Sequence, residues 1–269
     1  MVTRRYLRHH QSMNDHGNAD LDGAPEPGAS RAGTHPNMAG MAAAIGEPTC
    51  AAMLLALMGG APLSAGQLAA AGHVGAATAS THLRRLLDAG LVRVTRHGRR
   101  RHYELAGPAV AAALEALGRL APPTPIRSLA ASSQARGLRQ ARTCYDHLAG
   151  GFGVWLLDTL LADEWLVPAE PDSLALTEAG AAGLRTWGVP WPPPAPVRRR
   201  LAFACSDWSE ERPHLAGALG AAVTTHLVTQ EWLARVPGQR TVTLTDVGRE
   251  ALNAPFPARR PPALGASQV

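Results

Sequence analysis

Two short segments carry the side chains in this sequence that could hold a metal or act as nucleophiles: Cys144-Tyr145-Asp146-His147, and Cys205-Ser206-Asp207-Trp208 with His214 further on. Both open with Cys-x-Asp. Thiolate, imidazole and carboxylate are the donors preferred by zinc and other transition metals. Cys144, Asp146, His147, Cys205, Asp207 and His214 are therefore candidate ligands of a transition-metal site shared by the two segments. The Cys144 and Cys205 thiols would serve equally as a redox switch. Cys-x-Asp is not a recurrent ligand spacing, and cysteine in an alanine-rich stretch commonly packs as a small hydrophobe, so a structural role stands beside both readings. A cysteine near a histidine can also begin a nucleophilic pair. No third orienting group accompanies either one, and the sequence has no glycine-rich phosphate loop after a strand, no Gly-x-Ser-x-Gly and no paired His-Glu helix motif. An enzyme is not expected, and no cofactor other than such a metal is called for.

A different chemistry gathers in Arg96, His97, Arg99, Arg100 and Arg101, where several donors fall within two turns of strand. Phosphate contacts of this kind supply most of the salt-dependent affinity for DNA. The net charge of +5 points the same way, but all 26 basic residues are Arg, a genome-wide skew, so charge alone carries little weight. Three cysteines are too few for a secreted disulfide framework and fit a reducing cytoplasm. No run of about 18 apolar residues is present, so no membrane partner is expected.

The elements that must position these groups follow from periodicity and punctuation. Apolar residues at helical spacing predict one helix from Met41 to Leu57, ended by Gly59-Gly60-Ala61-Pro62. Ser64 caps a short helix, Ala65 to Ala71. After the turn Gly72-His73-Val74, a helix from Ala76 to Asp88 turns Ala79, Leu83, Leu86 and Leu87 inward and leaves Ala77, Ser80, Thr81, Arg84 and Arg85 outward. Gly90 stops it. Two alternating segments around His97-Gly98 then form an Arg-rich β-hairpin, and a helix from Pro108 to Leu120 starts on a proline whose missing N–H is harmless there.

A helix, a turn, a second helix and at once a basic hairpin is the order of a winged helix-turn-helix. The second helix enters the major groove and the hairpin reaches phosphates alongside. Ala77, Ser80, Thr81, Arg84, Arg85, Arg96, His97, Arg99, Arg100 and Arg101 are the candidate contacts to double-stranded DNA. The segments Ile45-Gly46-Glu47-Pro48, Ser64-Ala65-Gly66-Gln67-Leu68-Ala69, Ala77-Thr78-Ala79-Ser80-Thr81-His82-Leu83, Asp88-Ala89-Gly90-Leu91-Val92 and Gly98-Arg99-Arg100-Arg101-His102-Tyr103 resemble the ArsR/SmtB regulators over about residues 41–121. The resemblance implies a homodimer built on the first and last helices, here Ala43 to Leu57 and Pro108 to Leu120. It also implies a repressor that binds a palindromic operator and is released by an effector, a small molecule or a metal. Metal-sensing members carry cysteines before the recognition helix, or His and Asp in the last helix. Gln67 to Ala71 and Val110 to Leu117 offer neither, so any sensing lies elsewhere. A protein-binding winged helix is the alternative, against which the arginine cluster argues.

The second half contains a duplication. His147-Leu148-Ala149-Gly150 matches His214-Leu215-Ala216-Gly217, and Glu164-Trp165-Leu166 matches Glu231-Trp232-Leu233, both at an offset of 67. Leu176-Thr177-Glu178-Ala179-Gly180 matches Leu244-Thr245-Asp246-Val247-Gly248 at 68. Each unit reads as helix, turn, short hairpin and a helix capped by Thr177 or Thr245, with Trp165 and Trp232 anchoring the core. The whole is expected to be mainly α with small β-hairpins: a winged helix-turn-helix domain (38–121) and a C-terminal domain (143–254) of two degenerate winged-helix-like repeats, 143–188 and 205–254. A tail (1–37), a linker (122–142) and a second tail (255–269) complete the expected organisation.

Overall fold

The computed structural model describes residues 36–97, 100–122, 125, 128–169, 173–192, 199–236, 239–253, 256 and 261–262. The chain divides into two compact units between Leu114 and Glu115, inside a helix rather than at the proline stretch that follows it.

The first unit opens with α1 (Met38–Ile45) and α2 (Pro48–Leu57), two helices bent by 84° where a single helix was expected. The cause is local. A residue before proline is pushed out of the helical region, and Glu47 is extended at ψ 124° and caps α2 with its own carboxylate. The strand β1 (Leu63–Ser64) leads into α3 (Ala65–Ala71), whose Ser64 and Gln67 form a reciprocal capping box. Next come α4 (Ala76–Asp88), β2 (Val92–His97), β3 (Arg100–Leu105) and α5 (Pro108–Leu120). The three strands form one antiparallel sheet in the order β1-β3-β2. Met53, Leu54, Leu57, Leu68, Ala79, Leu83, Leu86, Leu91 and Leu105 are buried, so α4 is seated by the apolar face read from its sequence. At its end Gly90 takes φ +67°, and the Leu91 N–H bonds back to the Leu86 carbonyl, a left-handed stop that favours glycine.

The second unit begins with a helix where a linker was expected: α6 (Leu129–Gln140), capped by Ser128. Two series of elements in the same order follow. The first is β4 (Arg142–Cys144), β5 (His147–Ala149), α7 (Gly150–Ala162), β6 (Leu166–Ala169), β7 (Ser173–Leu176) and α8 (Glu178–Trp187). The second is β8 (Phe203–Ser206), β9 (Pro213–Ala216), α9 (Gly217–Thr229), β10 (Leu233–Arg235), β11 (Val242–Leu244) and α10 (Asp246–Asn253). Each series thus opens with a hairpin that the sequence reading lacked. Thr177 and Thr245 cap as expected, each accepting from a glycine N–H at 2.9 Å.

The two series interlock reciprocally. The Leu174 N–H bonds to the carbonyl of Ala202, just ahead of β8, and the Val242 N–H bonds to that of Ala141, just ahead of β4. One apolar core runs through both, with Phe152, Leu157, Val223 and Leu227 wholly buried and Trp165 and Trp232 packed against it. Phe256, expected in a tail, is 1% exposed, and its ring meets those of Trp155, Trp165 and Trp187. Burying the phenyl ring contributes about 1.5–3 kcal/mol.

Candidate functional site

On α4 the side chains of Ala77, Ser80, Thr81, Arg84 and Arg85 are all exposed. The hydroxyls of Ser80 and Thr81 donate to the carbonyls of Ala76 and Ala77 within the helix. Arg85 donates to the Ala43 carbonyl at 2.9 Å and so braces α4 against α1. Gly75 caps α4 without a side-chain acceptor, which leaves its first N–H groups open. In the hairpin, Arg96 and Arg101 are exposed and stand opposite each other across the strands, as do His97 and Arg100 in the backbone register. Like charges directly opposite on a sheet repel, a cost that a polyanion on that face would remove. Arg93 is paired with Glu104 at 3.0 Å. Arg99 lies outside the described residues.

In the second unit Cys144 and His147 are a cross-strand pair of β4–β5, and Cys205 and His214 the corresponding pair of β8–β9. Folding brings all four together: a donor atom of each lies within 4.8 Å of the donors of the others. Cys144, His147 and His214 are buried and Cys205 partly so. The two aspartates stand behind the histidines instead of joining the four. Asp146 Oδ1 lies 3.1 Å from His147 Nδ1, and Asp207 Oδ2 lies 3.0 Å from His214 Nδ1. Both carboxylates already have a cationic partner. Asp207 meets buried Arg142 at 2.8 Å and accepts from the Gly150 and Ser209 N–H groups, while Asp146 is paired with Arg199. Close approach of the two hairpins needs glycine on the facing helices. A Cβ on Gly220 would lie 3.2 Å from that of His147, and one on Gly153 would lie 3.3 Å from that of His214.

The charges follow from these contacts. Burial opposes ionisation of Asp207, but His214 and Arg142 together hold its carboxyl well below the usual range. Burial also opposes the cationic form of His214, and the adjacent Asp207 and Cys144 outweigh it and raise the imidazole to about 8. The contact with Cys205, then burial, pushes the Cys144 thiol up to about 12.

Residues 45–95 match the helix-turn-helix domain family. Over 217 residues the chain is 37% identical to the uncharacterized HTH-type transcriptional regulator YdfF of Bacillus subtilis (strain 168), which covers 81% of this chain and 96% of the relative. The chain belongs to the ArsR-type helix-turn-helix transcriptional regulators. It is a DNA-binding regulator and not an enzyme, and its kinship with YdfF runs far beyond the matched domain. Two solved structures are also similar to it. HlyU of Vibrio cholerae N16961 is 27% identical over 30% of this chain and 88% of its own, with a TM-score of 0.29. The homodimeric winged helix-turn-helix domain Mb0332 of Mycobacterium bovis is 29% identical over 30% of this chain and 74% of its own, with a TM-score of 0.27.

Three residues of this regulator escaped the sequence reading: Glu47, Cys50 and His82. Glu47 accepts from the N–H groups of Thr49 (3.1 Å) and Cys50 (2.7 Å) and lies 3.0 Å from Nδ1 of His82 on α4. The Gly-Glu-Pro break was the available signal, because a carboxylate just before proline at the first helical position is a helix cap. Desolvation works against the Glu47 anion, but these donors outweigh it and hold its pKa at about 2, below the ordinary 4.5. A depressed carboxyl pKa stabilises the fold above the unfolded-state value, and that contribution disappears as pH falls through the folded-state value. Glu47→Gln should therefore destabilise the protein at neutral pH, by an amount that shrinks as pH falls from about 4.5 and is gone near 2. Chemical denaturation of both proteins across this range tests it, and a pH-independent difference would show that the cap does not act through its charge.

Proposed function

We propose that the regulator reads a palindromic operator as a homodimer, with α4 in the major groove and the β2–β3 hairpin on the flanking phosphates, and that it represses until an effector releases it. The observation that carries this reading is the exposure of Ser80, Thr81 and Arg84 on α4 together with that of the opposed Arg96 and Arg101 in the hairpin. Small and hydroxyl side chains let the helix approach base edges, and an arginine at the next turn suits guanine or phosphate. The open N–H groups at the start of α4 suit a phosphate as well. Dimerisation through the first and last helices is supported by apolar side chains left uncovered there: Met38, Met41 and Leu55 on one side, Leu117 and Leu120 on the other. Residues 38–121 act as the DNA-binding domain in this reading. Residues 143–254 form two winged-helix-like modules that lack Arg-rich wings and serve effector binding or dimer support.

Mobility-shift titration of the chain's own upstream DNA at several salt concentrations tests the proposal. Replacing Arg96 and Arg101 by Ala should weaken binding to all sequences and flatten the slope of log K against log salt by about 0.9 for each phosphate no longer neutralised. Unchanged affinity and slope would make the hairpin a protein-binding element instead. Specific shift of the upstream DNA, absent with scrambled DNA, is the expected result for the unaltered protein.

A further inference from the structure

We propose that Cys144, His147, Cys205 and His214 form a four-ligand site for a thiophilic divalent cation of the zinc class, with two ligands from each half of the duplicated C-terminal unit. Donor type and number match a closed Cys2His2 site, and the donor atoms of all four converge within 4.8 Å of one another. Metal–ligand distances of about 2.0–2.3 Å in a tetrahedron separate the donors by about 3.3–3.8 Å. The donors therefore need to close by no more than about 1.5 Å to complete the site.

Two further observations point to a ligand. First, Nε2 of His147 and both ring nitrogens of His214 are buried without a hydrogen-bond partner, although Asp146 bonds to Nδ1 of His147 and Asp207 lies 3.0 Å from Nδ1 of His214. An unpartnered buried polar atom costs about 1–3 kcal/mol, whereas an imidazole held at one nitrogen by a carboxylate and free at the other is the arrangement of a metal-ligating histidine. Second, the charges balance. Asp207 is neutralised by Arg142 and Asp146 by Arg199, so neither carboxylate is left to satisfy. Binding would displace to solvent the two thiol protons and the proton of any charged imidazole, leaving two thiolates and two neutral imidazoles whose charge of −2 a divalent cation cancels. Each hairpin alone supplies one sulfur and one nitrogen, so only the docked pair of repeats makes a full coordination sphere, and the ion would fasten one repeat to the other.

The test uses the full chain, purified with reductant, stripped with chelator and titrated with Co2+. We expect one equivalent per chain to give the intense visible bands of tetrahedral cobalt together with thiolate charge transfer, both discharged by Zn2+. Cys144→Ser and Cys205→Ser should abolish them, and Cys50→Ser should leave them unchanged. Asp146→Asn, which keeps all four ligands, should weaken affinity by about 10–100-fold. Should the ligand variants fail to fold, Zn2+ must still shield Cys205 of the unaltered protein from alkylation. Weak octahedral cobalt bands, equal uptake by the serine variants, or alkylation of Cys205 indifferent to Zn2+ would each overturn the site. So would a Cys144–Cys205 disulfide that persists in reductant and leaves the redox reading in its place.

Discussion

Arg142→Ala should lower the unfolding free energy by about 3–5 kcal/mol, the cost of breaking a buried ion pair by removing one partner. The side chains of Arg142 and Asp207 are both 0% exposed. The guanidinium also donates to the Ser209 hydroxyl and the Leu138 carbonyl and lies 4.5 Å above the Trp208 ring. Its removal would leave the Asp207 anion with only the His214 imidazole as an ionic partner in a site water does not reach, and a cavity beside Trp208. Asp207→Asn in the same background should recover part of the loss, because the orphaned charge is then gone, so a double-mutant cycle separates the charge from the packing. Denaturant unfolding in the presence of chelator measures both without a contribution from bound metal. A loss below about 1 kcal/mol would mean that water enters to solvate Asp207.

The second large effect is expected beneath α4. Leu86 is 0% exposed on the inner face of α4, and Leu86→Ala should cost about 2–5 kcal/mol through forfeited transfer energy and a residual cavity. Operator affinity should fall with it, because the outward side chains are aimed by the packing of Ala79, Leu83 and Leu86 beneath them. Arg84→Ala is the informative contrast. Arg84 is exposed, so its removal should change stability by less than about 0.5 kcal/mol while costing about 1–3 kcal/mol of binding if it contacts a base. Thermal unfolding and mobility shift on the two variants should therefore separate seat from contact. Equal weakening of binding to operator and scrambled DNA by Arg84→Ala would assign that side chain to phosphate.

The first unit was legible because its determinants are local. The Ser64–Gln67 capping box, the inward face of α4, the Gly90 stop and the alternation of Val92 to Leu105 each depend on neighbours a few residues away. The misreading there, one helix in place of α1 and α2, arose because apolar spacing continues across Gly46-Glu47 while Pro48 forbids the geometry. In the second unit the duplication and the Thr177 and Thr245 caps were equally local. The strands β4 and β5 were not legible, because three residues carry too little periodicity to announce a strand.

Sequence by itself determined the residue types: a basic winged helix-turn-helix, and two segments each with a cysteine, an aspartate and a histidine. Only the tertiary structure decided what those segments build. Cys144 and His147 meet Cys205 and His214 because each series bonds its hairpin to the lead-in of the other, at Leu174–Ala202 and Val242–Ala141. The same docking sorts the acids from the ligands by turning Asp207 toward Arg142 and placing Arg199 on Asp146. A sequence specifies which donors exist, but convergence over some sixty residues depends on which surfaces are buried together, and that is settled by a core shared between the repeats.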